Sequence, residues 1–389
     1  MDQRNRRVME RVLNHSIQKW LDATLAFDTI RHQNHDDVLE SLASLEFPHS
    51  KMEDWKYTRT QKLNQGQWIL QRSEVISDPE FQALSSVQTQ MRSGFFGCLN
   101  QVAPTEAFSL DIASNESFED PFHFVIKSNT DWAWTQPSFE LTLGENAKAK
   151  VVLHFIGKNN GFSNAILDVK MMEGSHLDLD IIQDNDDSFF QILDIKVDEA
   201  SKANCNVVTH TLNGGWTRNN LWMSLNGENA HAALSGFYLP QDGQLVDNHT
   251  VVDHRVPNCT SNELYKGVLY DKSKGVFNGK VFVRKDAQKT EAYQSNKNIM
   301  MSDEATMDSK PELEIYADDV RCSHGSTTGQ FDEEALFYLR ARGLSALGAK
   351  QLLVSAYVNE VINRSNNAEV ITFVKKELSE RGRIIADEV

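Results

Sequence analysis

From Phe122 to about Ala317 the chain alternates apolar and polar residues in short runs: FHFVIK, FELTL, KVVLHFI, AILDVK, HLDLDII, FQILDIKV, NVVTHTL, LWMSL and GVFNGKVFV. Alternation with a period of two sends successive side chains to opposite faces of a strand. Gly, Asn and Asp punctuate the runs, as turn residues do. The pattern predicts an all-β core of about 200 residues, and three architectures compete for it: a sandwich, a closed barrel and a solenoid of stacked coils. No strict repeat period is visible. A core of this length sits most comfortably in a solenoid, which grows by adding coils without widening its cross-section.

The flanks follow a helical period. Residues 1–117 read as mostly helical, with amphipathic candidates over Val8–Leu25 and Asp36–Phe47, the second opened by Asp36 as N-cap. Residues 118–325 hold the β core, and residues 326–389 turn helical again. There Asp332 is placed to cap EEALFYLRAR, Gly343 breaks the run, and Ser345 is placed to cap ALGAKQLLVSAYVNEVINR. Leu352, Leu353, Ala356, Tyr357 and Val361 recur at helical spacing and form an apolar face, for packing within the chain or for docking another protein.

Composition removes several function classes. Fifty-five Asp and Glu against thirty-nine Lys and Arg give a formal charge of −16, which repels nucleic-acid phosphates and anionic headgroups. Cys98, Cys205, Cys259 and Cys322 are scattered without a CxxC, unlike a secreted disulfide framework. With no apolar run of signal-peptide or bilayer length, a soluble cytoplasmic protein is expected. The nearest approach to a P-loop, Gly275-Val-Phe-Asn-Gly279-Lys280, is one residue short and ends in Val281 where a hydroxyl is needed. No nucleotide is therefore expected on this chain. GxGxxG, HExxH and GxSxG are absent, and Asp184-Asn-Asp186-Asp187-Ser188 lacks the later ligands of a calcium loop.

Two clusters carry candidate chemistry. In RCSHGS, Cys322 and His324 stand two apart, so an extended backbone points both toward one face. A thiol and an imidazole suit a thiophilic metal but supply only half of a tetrahedral shell. The remaining ligands would come from elsewhere, such as another subunit. In DNHTVVDH, a strand puts Asp247, His249 and Asp253 on one face and His254 on the other. This set suits metal or acid–base work, or else a hydrogen-bonded polar row. Cys259 is a secondary candidate beside them and, as a lone cysteine near strand sequence, reads otherwise as a small buried hydrophobe.

Over Val246–Ser345, the blocks DNHTVVDHRVPNCTSNELYKGVLYDKSKGVFNGKVFVRKDAQKTEAYQSNK and PELEIYADDVRCSHGSTTGQFDEEALFYLRARGLS resemble the SufB/SufD family of iron–sulfur cluster assembly scaffolds. FPHSKMEDWKYTR, Phe47 to Arg59, resembles the N-terminal signature of the D-type branch. The resemblance implies a mainly β fold, a right-handed parallel β-helix flanked by N-terminal and C-terminal helical regions. It implies a non-catalytic scaffold that pairs with the B-type paralogue and builds a nascent iron–sulfur cluster at their shared interface. A SufC-type ABC ATPase would dock on the C-terminal helices, with Phe337, Tyr338, Arg342, Leu352 and Tyr357 as partner-binding candidates. A homodimer of the isolated chain stays open. The CSHG motif places the family's interface histidine at His324, with Cys322 as its helper. Reduced flavin is associated with such complexes, yet no residue here identifies a flavin pocket. Two other readings compete: an adaptor that recruits the ATPase without touching metal, and a β-helix carbohydrate-active enzyme using flank carboxylates.

Overall fold

The computed structural model describes residues 15–27 and 30–385. Every run singled out above forms a strand, and the strands stack in parallel into two sheets. One sheet stacks Phe122–Ser128, Lys148–Gly157, His176–Asp184, Asn204–Asn213, His231–Tyr238, Thr260–Leu269, Glu291–Met300 and Arg321–Gln330. The other stacks Glu106–Ile112, Pro137–Leu143, Phe162–Met171, Phe190–Glu199, Trp216–Leu225, Leu245–His254, Lys274–Val283 and Thr306–Ile315. The chain visits the two sheets in turn. The core is therefore a parallel β-solenoid of about eight turns, neither sandwich nor barrel.

Side chains facing inward fill the solenoid with Leu, Ile, Val, Phe and Ala. One corner of every coil but the last turns on a left-handed residue: Asn115, Asn146, Gly174, Lys202, Asn229, Asn258 and Lys289, with φ between 55° and 69°. Asparagine tolerates that conformation better than other side chains do, which explains its recurrence. Register partners on successive coils lie 26 to 32 residues apart in sequence. That variation hides the repeat from a search for a fixed period.

Among the described residues four α-helices precede the core: α1 (His15–Ala26), α2 (His35–Ser44), α3 (Gln61–Gln65) and α4 (Phe95–Val102). Residues 8–14 of the first predicted helix lie outside the described residues. The second predicted helix starts earlier than expected, with Asn34 at the N-cap position and Asp36 in the first turn. Between α3 and α4 the chain is extended rather than helical, and it closes the solenoid's first coil. Glu74–Ser77 pairs antiparallel with Phe122–Ser128, and Gln82–Ala83 with Glu106–Ile112. Trp20, Phe47, Phe95 and Phe96 form an aromatic cluster over Trp134, Phe162 and Trp216 of the second sheet. Trp134, Phe162, Phe190 and Trp216 share one register position on successive strands, so the helices rest on a continuous aromatic seam.

Two motifs prominent in the sequence meet at this seam. The Thr58 hydroxyl donates to Asp247, which also holds Arg218 at 2.9 Å and His249 at 2.9 Å. The Arg218 guanidinium lies 3.9 Å over the Trp55 ring and donates to the Asp54 carbonyl at 2.8 Å. Burial pushes the Asp247 carboxyl up, but His249 and Arg218 outweigh it and set it below its ordinary value. FPHSKMEDWKYTR is thus clamped onto DNHTVVDH.

Among the described residues three helices follow the core: α5 (Glu333–Ala341), α6 (Ala346–Ile362) and α7 (Ala368–Glu380). The expected caps form, since Asp332 accepts from Glu334 and Ala335 N–H, and Ser345 from Gly348 N–H. Gly343 takes φ +99°, which ends α5. Helices α6 and α7 lie across the outer face of the first sheet, packing Val354, Val358, Val361, Val370 and Val374 on Val152, Ile182, Val208, Phe237 and Leu264. The buried face of α6 is therefore rotated from the one read in sequence, leaving Leu352 and Ala356 exposed.

Arg218→Ala would leave Asp247 buried without its guanidinium and remove the stack on Trp55. A loss of about 3–5 kcal/mol is expected for halving such a pair, read as a lower urea midpoint at neutral pH. Acid acts in the same direction: because the folded carboxyl is depressed, its contribution is full above the ordinary carboxylate range. It drains away as pH falls from about 4 through the lower folded value. A variant midpoint equal to that of the parent would remove the clamp's role.

Candidate functional site at the open end of the solenoid

Arg321–Gln330 is the last strand of its sheet and pairs on one side only, with Glu291–Met300. Its even-numbered residues face the interior. Cys322 packs against Val281, Val283 and Ala292, and the Ser326 hydroxyl donates across the core to that of Ser309 at 2.7 Å. His324 lies between them on the same face. With no further coil above, the strand is exposed along nearly its whole length, His324 included. Thiol and imidazole therefore look out together from the uncovered end of the rod. The strand beside it, Thr306–Ile315, carries Pro311. Proline cannot complete a ladder, so it belongs on such an edge.

The interior changes character just beneath this end. In register, His324 stands on Gln294, Gln294 on Glu263, then come Leu234, Val207 and Leu179. The column is apolar until its last three positions. Burial pushes the Glu263 carboxyl up to about 7, against the opposing pull of hydrogen bonds from Thr250 and Gln294. Gln294 Nε2 donates to Glu263 Oε2 at 2.7 Å. Gly279 makes room for that amide, because a Cβ there would fall 2.5 Å from Nε2. The neighbouring columns are polar as well: Tyr238 donates to Asn298 at 2.7 Å, and Asn298 Nδ2 donates to Asn296 Oδ1 at 2.7 Å.

The other sequence candidates do not converge on this point. His249 and Asp247 belong to the N-terminal clamp. Asp253 lies on the outer face between Arg255 and Arg284, at 2.8 Å from each. His254 faces the interior, 2.9 Å from the Ser261 hydroxyl, and burial lowers its pKa to about 4. Cys259 is buried at a corner, its thiol directed to the Gly227 carbonyl at 3.3 Å. Among the described residues, no group of three or more His, Cys, Asp or Glu side chains is placed to hold a metal ion. The terminal pair is thus an incomplete ligand set within this chain.

The partner-binding candidates divide. Phe337 is 75% and Tyr338 56% exposed on α5, a helix that buries none of its residues. Arg342 stacks 5.2 Å from the Tyr338 ring, and Leu352 adds an exposed apolar side chain. Tyr357 instead turns toward the solenoid, with Lys266 Nζ 4.2 Å from its ring. Lys266 also donates to its backbone carbonyl at 2.8 Å. Glu263 and Gln294 escaped sequence reading because each alone resembles an ordinary polar strand residue. Their shared signal is recurrence one coil apart, visible only once the register is known.

The sequence profile of the SUF system FeS cluster assembly, SufBD core domain, matches residues 124–357. The chain belongs to the SufBD family. It is 35% identical over 227 residues to the iron–sulfur cluster assembly protein SufD of Escherichia coli, covering 57% of this chain and 53% of that protein. An iron–sulfur cluster assembly SufBD family protein of Synechocystis is 26% identical over 281 residues, 69% of this chain and 62% of that one. A SufBD family protein of Mycobacterium tuberculosis is 37% identical over 171 residues, 42% of this chain and 43% of its own. The chain thus spans between about two-fifths and three-fifths of the length of these relatives. The profile match covers most of the solenoid, the terminal strand with Cys322 and His324, and helix α5. No described helix is long and apolar enough to cross a membrane.

Burial raises the Cys322 thiol, and raises Cys98, Cys205 and Cys259 in the same sense. Cys322 alone of the four is more than marginally accessible. Iodoacetamide on the native chain is expected to modify Cys322 alone, slowly at pH 7 and faster as the pH climbs past 9, because the thiolate is the nucleophile. Peptide mass spectrometry reads the result. Equal labelling of all four cysteines at pH 7 would contradict this arrangement.

Proposed function

We propose that this SufD homologue is a non-catalytic scaffold of a Suf-type assembly complex. Its open solenoid end pairs with a B-type paralogue, and a nascent iron–sulfur cluster forms where the two rods meet. The observation that carries the reading is the terminal coil: an uncovered interior that presents Cys322 and His324 beside an unpaired backbone edge. An edge strand with free N–H and C=O groups is a template for another chain's strand. A neutral imidazole nitrogen is a good iron ligand, and the partner's residues would complete the shell. A cargo cluster intended for transfer is better held in such a shared, separable site than in a closed cage. Cys322, with its thiol raised by burial, would ligate the cluster only after losing its proton to a base at the joint.

Nucleotide chemistry is assigned to an ABC-type ATPase docked on α5. Support comes from the exposure of Phe337 and Tyr338 and from the Gly275–Lys280 segment, which lies within strand Lys274–Val283 and forms no phosphate loop. Helix α6 and the turn that follows it anchor that platform through Lys266–Glu360, Arg364–Asn262 and Ser365–Asp180 contacts to the first sheet.

Two outcomes are expected. Co-expressed with B-type and ATPase partners and purified without oxygen, His324→Ala should keep the assembled mass while iron and acid-labile sulfide fall severalfold. Parent-level iron in that intact complex would reduce the chain to an adaptor. Phe337→Ala with Tyr338→Ala should weaken ATPase capture by about tenfold or more, the scale of a truncated aromatic hot spot. Titration calorimetry with the purified ATPase measures it, and unchanged affinity would move the docking site off α5.

A further inference from the structure

We propose that Gln294, held in place by Glu263, positions His324 by accepting its ring N–H, which turns the other ring nitrogen toward the metal. The inference rests on the reading of His324 as a ligand. Gln294 offers one donor group and one acceptor at its end. The donor is committed, since Nε2 gives its hydrogen to Glu263 Oε2 at 2.7 Å. Oε1 is buried and has no hydrogen-bond partner. An acceptor left in that state costs about 1–3 kcal/mol, so the position calls for a donor, and none among the described residues lies within hydrogen-bond distance of it.

The register names the donor. Directly above Gln294 in the interior column stands His324, and parallel strands run about 4.8 Å apart. Because Glu263 Oε2 accepts from Gln294 Nε2, the amide turns Nε2 down the column and Oε1 up it. Gly279 on the opposite sheet leaves the amide its space. Metal-bound histidines almost always donate their second ring nitrogen to a carbonyl or carboxylate, which fixes tautomer and ring plane and strengthens the ligand. Glu263, Gln294 and His324 have the order and polarity of such a chain. The terminal strand is exposed here, and covering it with the partner rod would dry the bond and strengthen it.

The test uses the full chain and its co-purified complex. Selective 15N-histidine labelling of this chain within the complex reports the His324 tautomer, its signal assigned by loss in His324→Ala; iron and acid-labile sulfide are counted in the same complex. The parent and the exchanged pair Glu263→Gln with Gln294→Glu, which preserves one donor and one upward acceptor, should show one tautomer and full iron. Gln294→Met should show mixed tautomers and iron reduced about tenfold or more, the usual scale of losing such a partner. Should Gln294→Met fail to assemble, Glu263→Gln alone serves, because it frees the Gln294 amide to rotate and predicts the same mixture. If those variants keep a single tautomer and parent iron while His324→Ala loses iron, the positioning role is overturned and the ligand reading survives. If His324→Ala keeps its iron, both fall.

Discussion

Each coil of a parallel solenoid completes its backbone hydrogen bonds only through the coils above and below it, so both ends carry an unmet demand. At the first coil the demand is met within the chain, by two antiparallel strands and an aromatic helical cover. At the last coil it is not. The strand Arg321–Gln330 keeps one edge free and bears the thiol and imidazole that the sequence had already set apart. Fold and chemistry share a cause: the point where stacking stops is the point where interior side chains become available to a ligand.

The same logic accounts for the polar interior near that end. Much of the rod's interior is Leu, Val, Ile and Phe, whose burial drives the stack together, interrupted mid-rod by an amide network of Gln183, Gln191, Asn219 and Asn248. In the last coils the inward columns become Glu263, Gln294, Asn296, Asn298, Ser309 and Ser326. Buried amides and carboxyls stabilise little, since their hydrogen bonds mostly replace those with water. What they give is direction. A Leu in place of Gln294 would fill space equally well and orient nothing.

The strands were legible because alternation with a period of two survives in every coil, and the terminal caps were legible because Asp332 and Ser345 sit where orphan N–H groups need them. The solenoid was not legible from pattern, since coil lengths vary and the recurrent corner residue is Asn in some coils and Gly or Lys in others. Family resemblance supplied what periodicity lacked. At the site, Cys322 and His324 stood out because rare residue types fell at i and i+2. DNHTVVDH stood out for the same reason and has a different use, with Asp247 gripping Arg218 and Thr58, Asp253 gripping two arginines, and His254 hidden against Ser261. Clusters of ionisable residues mark tight spots of any kind. Only the register separates a clamp from a ligand set, and only the register brings Gln294 beneath His324.

The asymmetry between the two ends limits what can grow from them. A rod with two bare ends would add neighbours without limit, as cross-β aggregates do. Here one terminus is sealed by the chain's own antiparallel strands, and the neighbouring edge at the other is interrupted by Pro311. If two such rods join tip to tip as proposed, each engages its open terminus, and the pair would bury the imidazole at its midpoint.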